Sequence, residues 1–288
     1  MFMNAAKRPS RSEAREQARQ KARELSQKSS ARDKRVRFFT QAGLAVASLA
    51  VIAILAAVIM EGTKPAGPGP LNMASDGIKI GASYKAVKTD ALPAESAPVA
   101  TPANEPGVVD ITIFVDFLCP VCGEFEKANG QVLDELVASG AATLEVHPIA
   151  FLDNRSQGTK YSTRATNAAA CVANYTPDAF YTFHKLLFAN QPAENTPGLD
   201  DAAITELATQ AGGNVQVADC IDKGDFTDWV SAQTTRAMSG EVAINNLDPA
   251  FTGVTGTPTV LINGVPFKYS YPFDSAEFLS AVQAASSN

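Results

Sequence analysis

Apolar positions along the chain fall into three patterns. The first is one long run, Phe38–Met60, bounded by Arg37 and Glu61. A helix of that length crosses the roughly 30 Å of bilayer hydrocarbon, so it predicts a transmembrane helix over 38–60. The second pattern is short and continuous. Val108–Asp116 (VVDITIFVD), Ala142–Phe151 (ATLEVHPIAF) and Thr259–Ile262 (TVLI) read as strands buried on both faces. Asn263-Gly264 then signals a tight hairpin, with Val265–Tyr269 returning antiparallel, and Pro266 places that return at a sheet edge.

The third pattern has helical spacing. It covers Gly123–Ser139, Thr159–Tyr175, Pro177–Asn190, Asp200–Ala211, Asp225–Ala243 and Glu277–Ala285. Gly140 is placed to end the first of these helices, and Thr176 to cap the helix that Pro177 opens. The strand–helix–strand unit over 108–151 is expected to close as a right-handed crossover with parallel strands. A helical block, about 155–248, separates it from the hairpin. The domain over 107–288 is therefore of the α/β class. Residues 61–106 are rich in Pro, Gly and Ala and read as an extended tether, with short strands around Gly77–Ile80 and Tyr84–Val87.

Charge orients this plan. Residues 1–37 hold 12 of the 24 basic residues and 4 of the 30 acidic ones, a net of +8; the remainder carries −14. Arg32, Lys34, Arg35 and Arg37 crowd the start of the apolar run. The positive-inside rule puts residues 1–37 in the cytoplasm and everything beyond Glu61 outside. A basic tail before an apolar run points to a membrane crossing, not to nucleic acid. A cleaved signal peptide is the competing reading, but the apolar run is too long and no small-x-small site follows Met60.

The candidate chemistry sits where the first strand meets the first helix, at Cys119-Pro120-Val121-Cys122. Two cysteines so spaced at a strand-to-helix turn are the signature of thiol–disulfide exchange. Cys119 would lie at the helix N-terminus, where unpaired N–H groups and the dipole stabilise a thiolate. Pro120 suits the first helical position. Cys122, one turn in, would resolve the mixed disulfide. Half of a zinc site and an inert structural bridge are the competing readings. No second C-x-x-C exists, and neither His147 nor His184 has a paired ligand nearby in sequence. Cys171 and Cys220 fall in the helical block and, outside the cytoplasm, would form a structural disulfide; two free buried thiols is the alternative. Both histidines are read as core.

Three features together resemble the DsbA-like thiol–disulfide oxidoreductases, especially the membrane-anchored type of Gram-positive bacteria. They are Asp116-Phe117-Leu118-Cys119-Pro120-Val121-Cys122, Gly256-Thr257-Pro258-Thr259, and the helical block between the two halves of the sheet. The resemblance spans about Val108 to Gln283. It implies a thioredoxin fold with an inserted helical domain. It also implies an exposed nucleophile at Cys119, a resolving Cys122, a cis Pro258 against the pair, and a Thr257 backbone that meets the substrate chain. The family's buried acid six residues before the first cysteine is absent: that position is Ile113. Asp116 is the nearest acid, either a proton acceptor for Cys122 or an exposed group, and Glu124 and Glu126 are expected to face solvent.

The resulting expectation is an extracytoplasmic enzyme that gives disulfides to exported client proteins with free thiols. No organic cofactor or metal is implied. A quinone-linked membrane partner of the DsbB or vitamin K epoxide reductase type would re-oxidise it. A reductase or isomerase, for example in cytochrome c maturation, and a non-enzymatic membrane-anchored scaffold are the alternatives.

Overall fold

In chain order the strands are β1 (Ile78–Gly81), β2 (Lys85–Ala86), β3 (Val109–Val115), β4 (Ala142–Pro148), β5 (Thr259–Ile262) and β6 (Val265–Pro266). The helices are α1 (Pro120–Ser139), α2 (Tyr161–Tyr175), α3 (Phe180–Ala189), α4 (Asp201–Gln210), α5 (Val215–Lys223), α6 (Thr227–Ser239) and α7 (Ser275–Ser286). The computed structural model describes Glu16 and residues 67–287. The expected transmembrane helix lies outside the described residues, as does the basic tail apart from Glu16. Among the described residues, no helix is long and apolar enough to cross a membrane.

The strands form one sheet in the order β2-β1-β4-β3-β5-β6. β3 pairs in parallel with β4, Ile111 opposite Leu144 and Ile113 opposite Val146. On its other side it pairs antiparallel with β5. Two-sided cover buries all of β4, including Thr143, Glu145 and His147, which alternate with Ala142, Leu144 and Val146. The turn between β5 and β6 has positive φ at both Asn263 (49°) and Gly264 (80°), and β6, with Pro266, is an edge.

α1 begins where Cys119 leaves the extended conformation (φ −72°, ψ 114°) and Pro120 takes the first helical position. It ends at Gly140, whose φ of 77° favours a residue without a Cβ. Its buried face carries Cys122, Phe125, Asn129, Leu133 and Val137, spaced by three and four residues. α2 is the centre of the helical block. Its alanines (Ala165, Ala168, Ala169, Ala170, Ala173) are all buried, which lets the other helices approach closely.

Four local expectations are corrected. α5 has no counterpart among the helices expected from periodicity; Asn214 caps it, accepting a bond from the Val217 N–H at 3.1 Å. Thr176 makes no side-chain cap bond, because a 3-10 turn, Pro177–Ala179, leads into α3 instead. β4 stops at Pro148, and residues 149–152 turn back toward the end of β3. The fourth correction concerns the expected tether.

From Pro70 onward that segment packs onto the domain. Residues 72–76 are buried. Asn72 donates to the Ala173 carbonyl and the Leu71 N–H to Asn174, each at 2.8 Å. Arg236 makes two 2.7 Å bonds to the Asp76 carboxylate. Lys79, 1% exposed, pairs with Asp110 at 2.8 Å. Beside it, burial pushes the Glu145 carboxyl up, against hydrogen bonds from Ser75 and Thr101 and the charge of Lys79. Composition suggested a solvated linker because the segment is poor in large apolar residues. Its cohesion comes from polar contacts with residues 31 to 160 positions away.

Candidate active site

The end of β3 delivers Asp116, Phe117 and Leu118, all fully buried, to the start of α1. Cys119 and Cys122 are free thiols there. Cys122 is completely buried and Cys119 is 6% exposed, so the expected exposed nucleophile is instead nearly covered. The cover comes from the loop before β5. The Thr257–Pro258 peptide is cis, and the Cys119 thiol donates to the Thr257 carbonyl at 3.2 Å. Cys119, Cys122, Thr257 and Pro258, far apart in sequence, thus meet at one end of the sheet.

Electrostatics separate the two sulfurs. A hydrogen bond from Cys122 brings the Cys119 pKa down to about 6 from its ordinary 9.0; burial opposes this. The Thr257 hydroxyl and the backbone N–H groups of Val121 and Cys122 help. These are the unpaired amides of the first helical turn. Burial pushes the Cys122 thiol well above 9.0, and donation to Cys119 and the charge there add to it. Near neutral pH, Cys119 is a thiolate and Cys122 holds its proton. Such a pair supplies a nucleophile, a good leaving group and a proton in one helical turn.

Asp116 is fully buried and its carboxylate is occupied. One oxygen accepts the Leu118 N–H and the Ser162 hydroxyl; the other accepts the Phe151 and Leu152 N–H groups, all at 2.8 Å. The carboxylate ties the entry to α1, the turn after β4 and the first turn of α2. It is not the exposed group of one expectation, and its four bonds brace this end of the sheet. Its backbone, by contrast, hydrogen-bonds the Cys122 sulfur.

Burial raises the Asp116 pKa from 3.8 to about 6, the four bonds restraining the rise. The folded value lies above the unfolded one, so stability from this group is full below about pH 4 and lost as pH rises through 6. About two units correspond to roughly 3 kcal/mol. Asp116→Asn removes this titration. In urea unfolding at low and neutral pH, the wild type is expected to lose roughly 3 kcal/mol more than the variant across that interval. Equal pH slopes for the two proteins would exclude this role.

Glu124 is exposed, as expected, and bonded to the Tyr271 hydroxyl. Glu126 is not solvated: its side chain is 9% exposed and bonded to His184 Nε2 at 2.9 Å. Both were expected to face solvent; α3 lying against α1 is what covers Glu126. His184 is core, among Phe117, Phe180, Tyr181 and Phe188. His147 is also buried, its ring tilted against Phe114, with burial lowering its pKa to about 4 and keeping it neutral. Among the described residues, no group of three or more His, Cys, Asp or Glu side chains is placed to hold a metal ion.

Sequence reasoning missed three neighbours of the pair. Tyr269 donates to the Pro258 carbonyl at 2.9 Å. Burial raises its pKa, with the charges of Cys122 and Cys119 adding. Ser162 and Gln191 hold Asp116 and the backbone around Cys119. A Tyr, a Ser and a Gln outside any motif carry no signal in one sequence.

A protein-family model described as thioredoxin matches residues 104–284. The chain belongs to this thioredoxin family. It is similar to the reduced form of a disulfide bond oxidoreductase, DsbG, from Mycobacterium tuberculosis, at 30% identity. That match covers 74% of this chain and 88% of the other, with a TM-score of 0.55. It is also similar to oxidised DsbA from the same organism, at 30% identity, 74% and 93% coverage and a TM-score of 0.54. Both matches support an oxidoreductase. The serine/threonine-protein kinase PknE of M. tuberculosis is 32% identical over 166 residues, which are 56% of this chain and 28% of the kinase. The chain thus spans only about a quarter of the length of the curated relatives it matches.

Cys171 and Cys220 are joined, with 5.8 Å between their Cα atoms. The bond ties α2 to α5 and lies apart from the free pair.

Proposed function

We propose that the chain is a membrane-anchored, extracytoplasmic thiol–disulfide oxidoreductase that gives disulfides to exported proteins. The lowered pKa of Cys119 beside a Cys122 that keeps its proton carries this reading. Stabilising the thiolate favours the reduced pair over its disulfide. The disulfide is then a strong oxidant. A client thiolate attacks Cys119 Sγ of the disulfide and Cys122 leaves, taking a proton. A second client thiolate attacks the client sulfur of the mixed disulfide and Cys119 leaves as thiolate. Two electrons pass from client to the pair. A quinone-linked membrane protein of the DsbB or vitamin K epoxide reductase type would take them onward. The anchor rests on the apolar run Phe38–Met60 and the basic residues before it.

The test has two parts. Equilibration of the full-length protein with glutathione should give a Cys119–Cys122 potential well above about −240 mV, the glutathione poise. A value below it makes the protein a reductant. In intact cells, reduced Cys119 should react with a membrane-impermeant maleimide; labelling only after lysis would reverse the topology.

A further inference from the structure

The backbone around the nucleophile is held by a side chain from the helical block. The Gln191 amide donates Nε2–H bonds to two carbonyls, that of Phe117 at 3.2 Å and that of Cys119 at 2.8 Å. Gln191 follows α3, 72 positions from Cys119. The Cys119 carbonyl also accepts the Gly123 N–H at 3.2 Å, the first bond of α1. Cys119 occupies the N-cap position, and the N–H groups of Val121 and Cys122 in the first turn lower its pKa. Gly123 makes room for this arrangement. A Cβ there would sit 2.3 Å from Gln191 Oε1, an overlap no real contact tolerates.

We propose that Gln191 is a positioning residue: by gripping the carbonyls of Phe117 and Cys119 it keeps them turned away from the sulfur and the first-turn amides turned toward it. A carbonyl dipole facing a thiolate destabilises it, and an N–H facing it does the reverse. Glycine at 123 is the complementary half of the device. The inference rests on the redox reading of the Cys119–Cys122 pair and adds a residue to it.

Gln191→Met keeps the length of the side chain and removes both donors. Gly123→Ala keeps Gln191 but sets a methyl group against its Oε1, so the amide must shift from its present position. The readout is the pH profile of Cys119 alkylation by iodoacetamide on reduced, full-length protein, with circular dichroism as the control for folding. For the wild type the midpoint is expected near pH 6. In each variant it should rise, so that alkylation slows about two- to five-fold near pH 6 and is unchanged near pH 9, as a shift of 0.5–1 unit requires. A loss of packing alone would lower the melting temperature and leave the midpoint in place; that result in both variants overturns the inference. If Gln191→Met does not fold, Gly123→Ala decides by the same criterion. A wild-type midpoint near 9 would instead defeat the redox reading itself, before Gln191 is in question.

Discussion

Cys119→Ser is expected to abolish dithiol–disulfide exchange, while Cys122→Ser is expected to stop it after one half of the cycle. The two sulfurs have different work. Cys119 has some exposure and a pKa near 6, whereas Cys122 has no exposure and a raised pKa. A serine hydroxyl at 119 is not ionised at neutral pH and forms no bond to client sulfur, so oxidation of a model dithiol peptide should fall to the rate without protein. With serine at 122, Cys119 still forms a mixed disulfide but nothing inside the protein releases it. Covalent adducts with client peptides should accumulate and survive non-reducing electrophoresis. Both variants should fold, because each exchanges one sulfur for a smaller oxygen and removes no cross-link: the pair is free in this structure. Residual turnover in Cys119→Ser would assign the chemistry elsewhere.

Replacing both Cys171 and Cys220 by alanine is expected to lower stability by about 4 kcal/mol, most of it through the unfolded chain. The bridge closes a loop between residues 49 apart. Freed from it, the denatured ensemble gains the entropy of that loop. Both positions are buried, so the cavity left by each lost sulfur adds a lesser cost. Against a total of about 5–15 kcal/mol for a typical domain, this is a large share. Urea midpoints of the wild type and the double variant measure it, and a loss under about 1 kcal/mol would show that α2 and α5 are held by packing alone. The bridge also matters to the site. α2 carries Ser162, which bonds the Asp116 carboxylate, and Asn167, which accepts the Phe226 N–H at the start of α6. Partial reduction of this bond should therefore loosen the brace at the entry to α1 before it unfolds the sheet.

The sequence by itself determined the redox pair and the frame around it. The spacing of Cys119 and Cys122, a proline between them and an apolar strand before them are local signals, and local backbone geometry follows from them. β3, α1, β4, the Asn263-Gly264 turn and α7 were legible for the same reason: each is specified by periodicity, caps or turn chemistry within a few residues. What lay outside that reach is whatever depends on partners far along the chain. Residues 70–106 look like a tether because their composition is poor in large apolar groups, yet Asp76, Lys79 and Asn72 find charges and carbonyls on β3, α2 and α6. Glu126 is on the outer face of α1 until α3 brings His184 against it. Asp116 was equally readable as acid–base group or surface residue, and only the return of the chain at Phe151 and Leu152 and the approach of Ser162 made it a brace. Gln191 belongs to no motif at all. Periodicity measures which way a side chain points on its own element; burial, pKa and hydrogen-bond partners are set by which other elements arrive, and those are decided only when the sheet and the helical block close over the site.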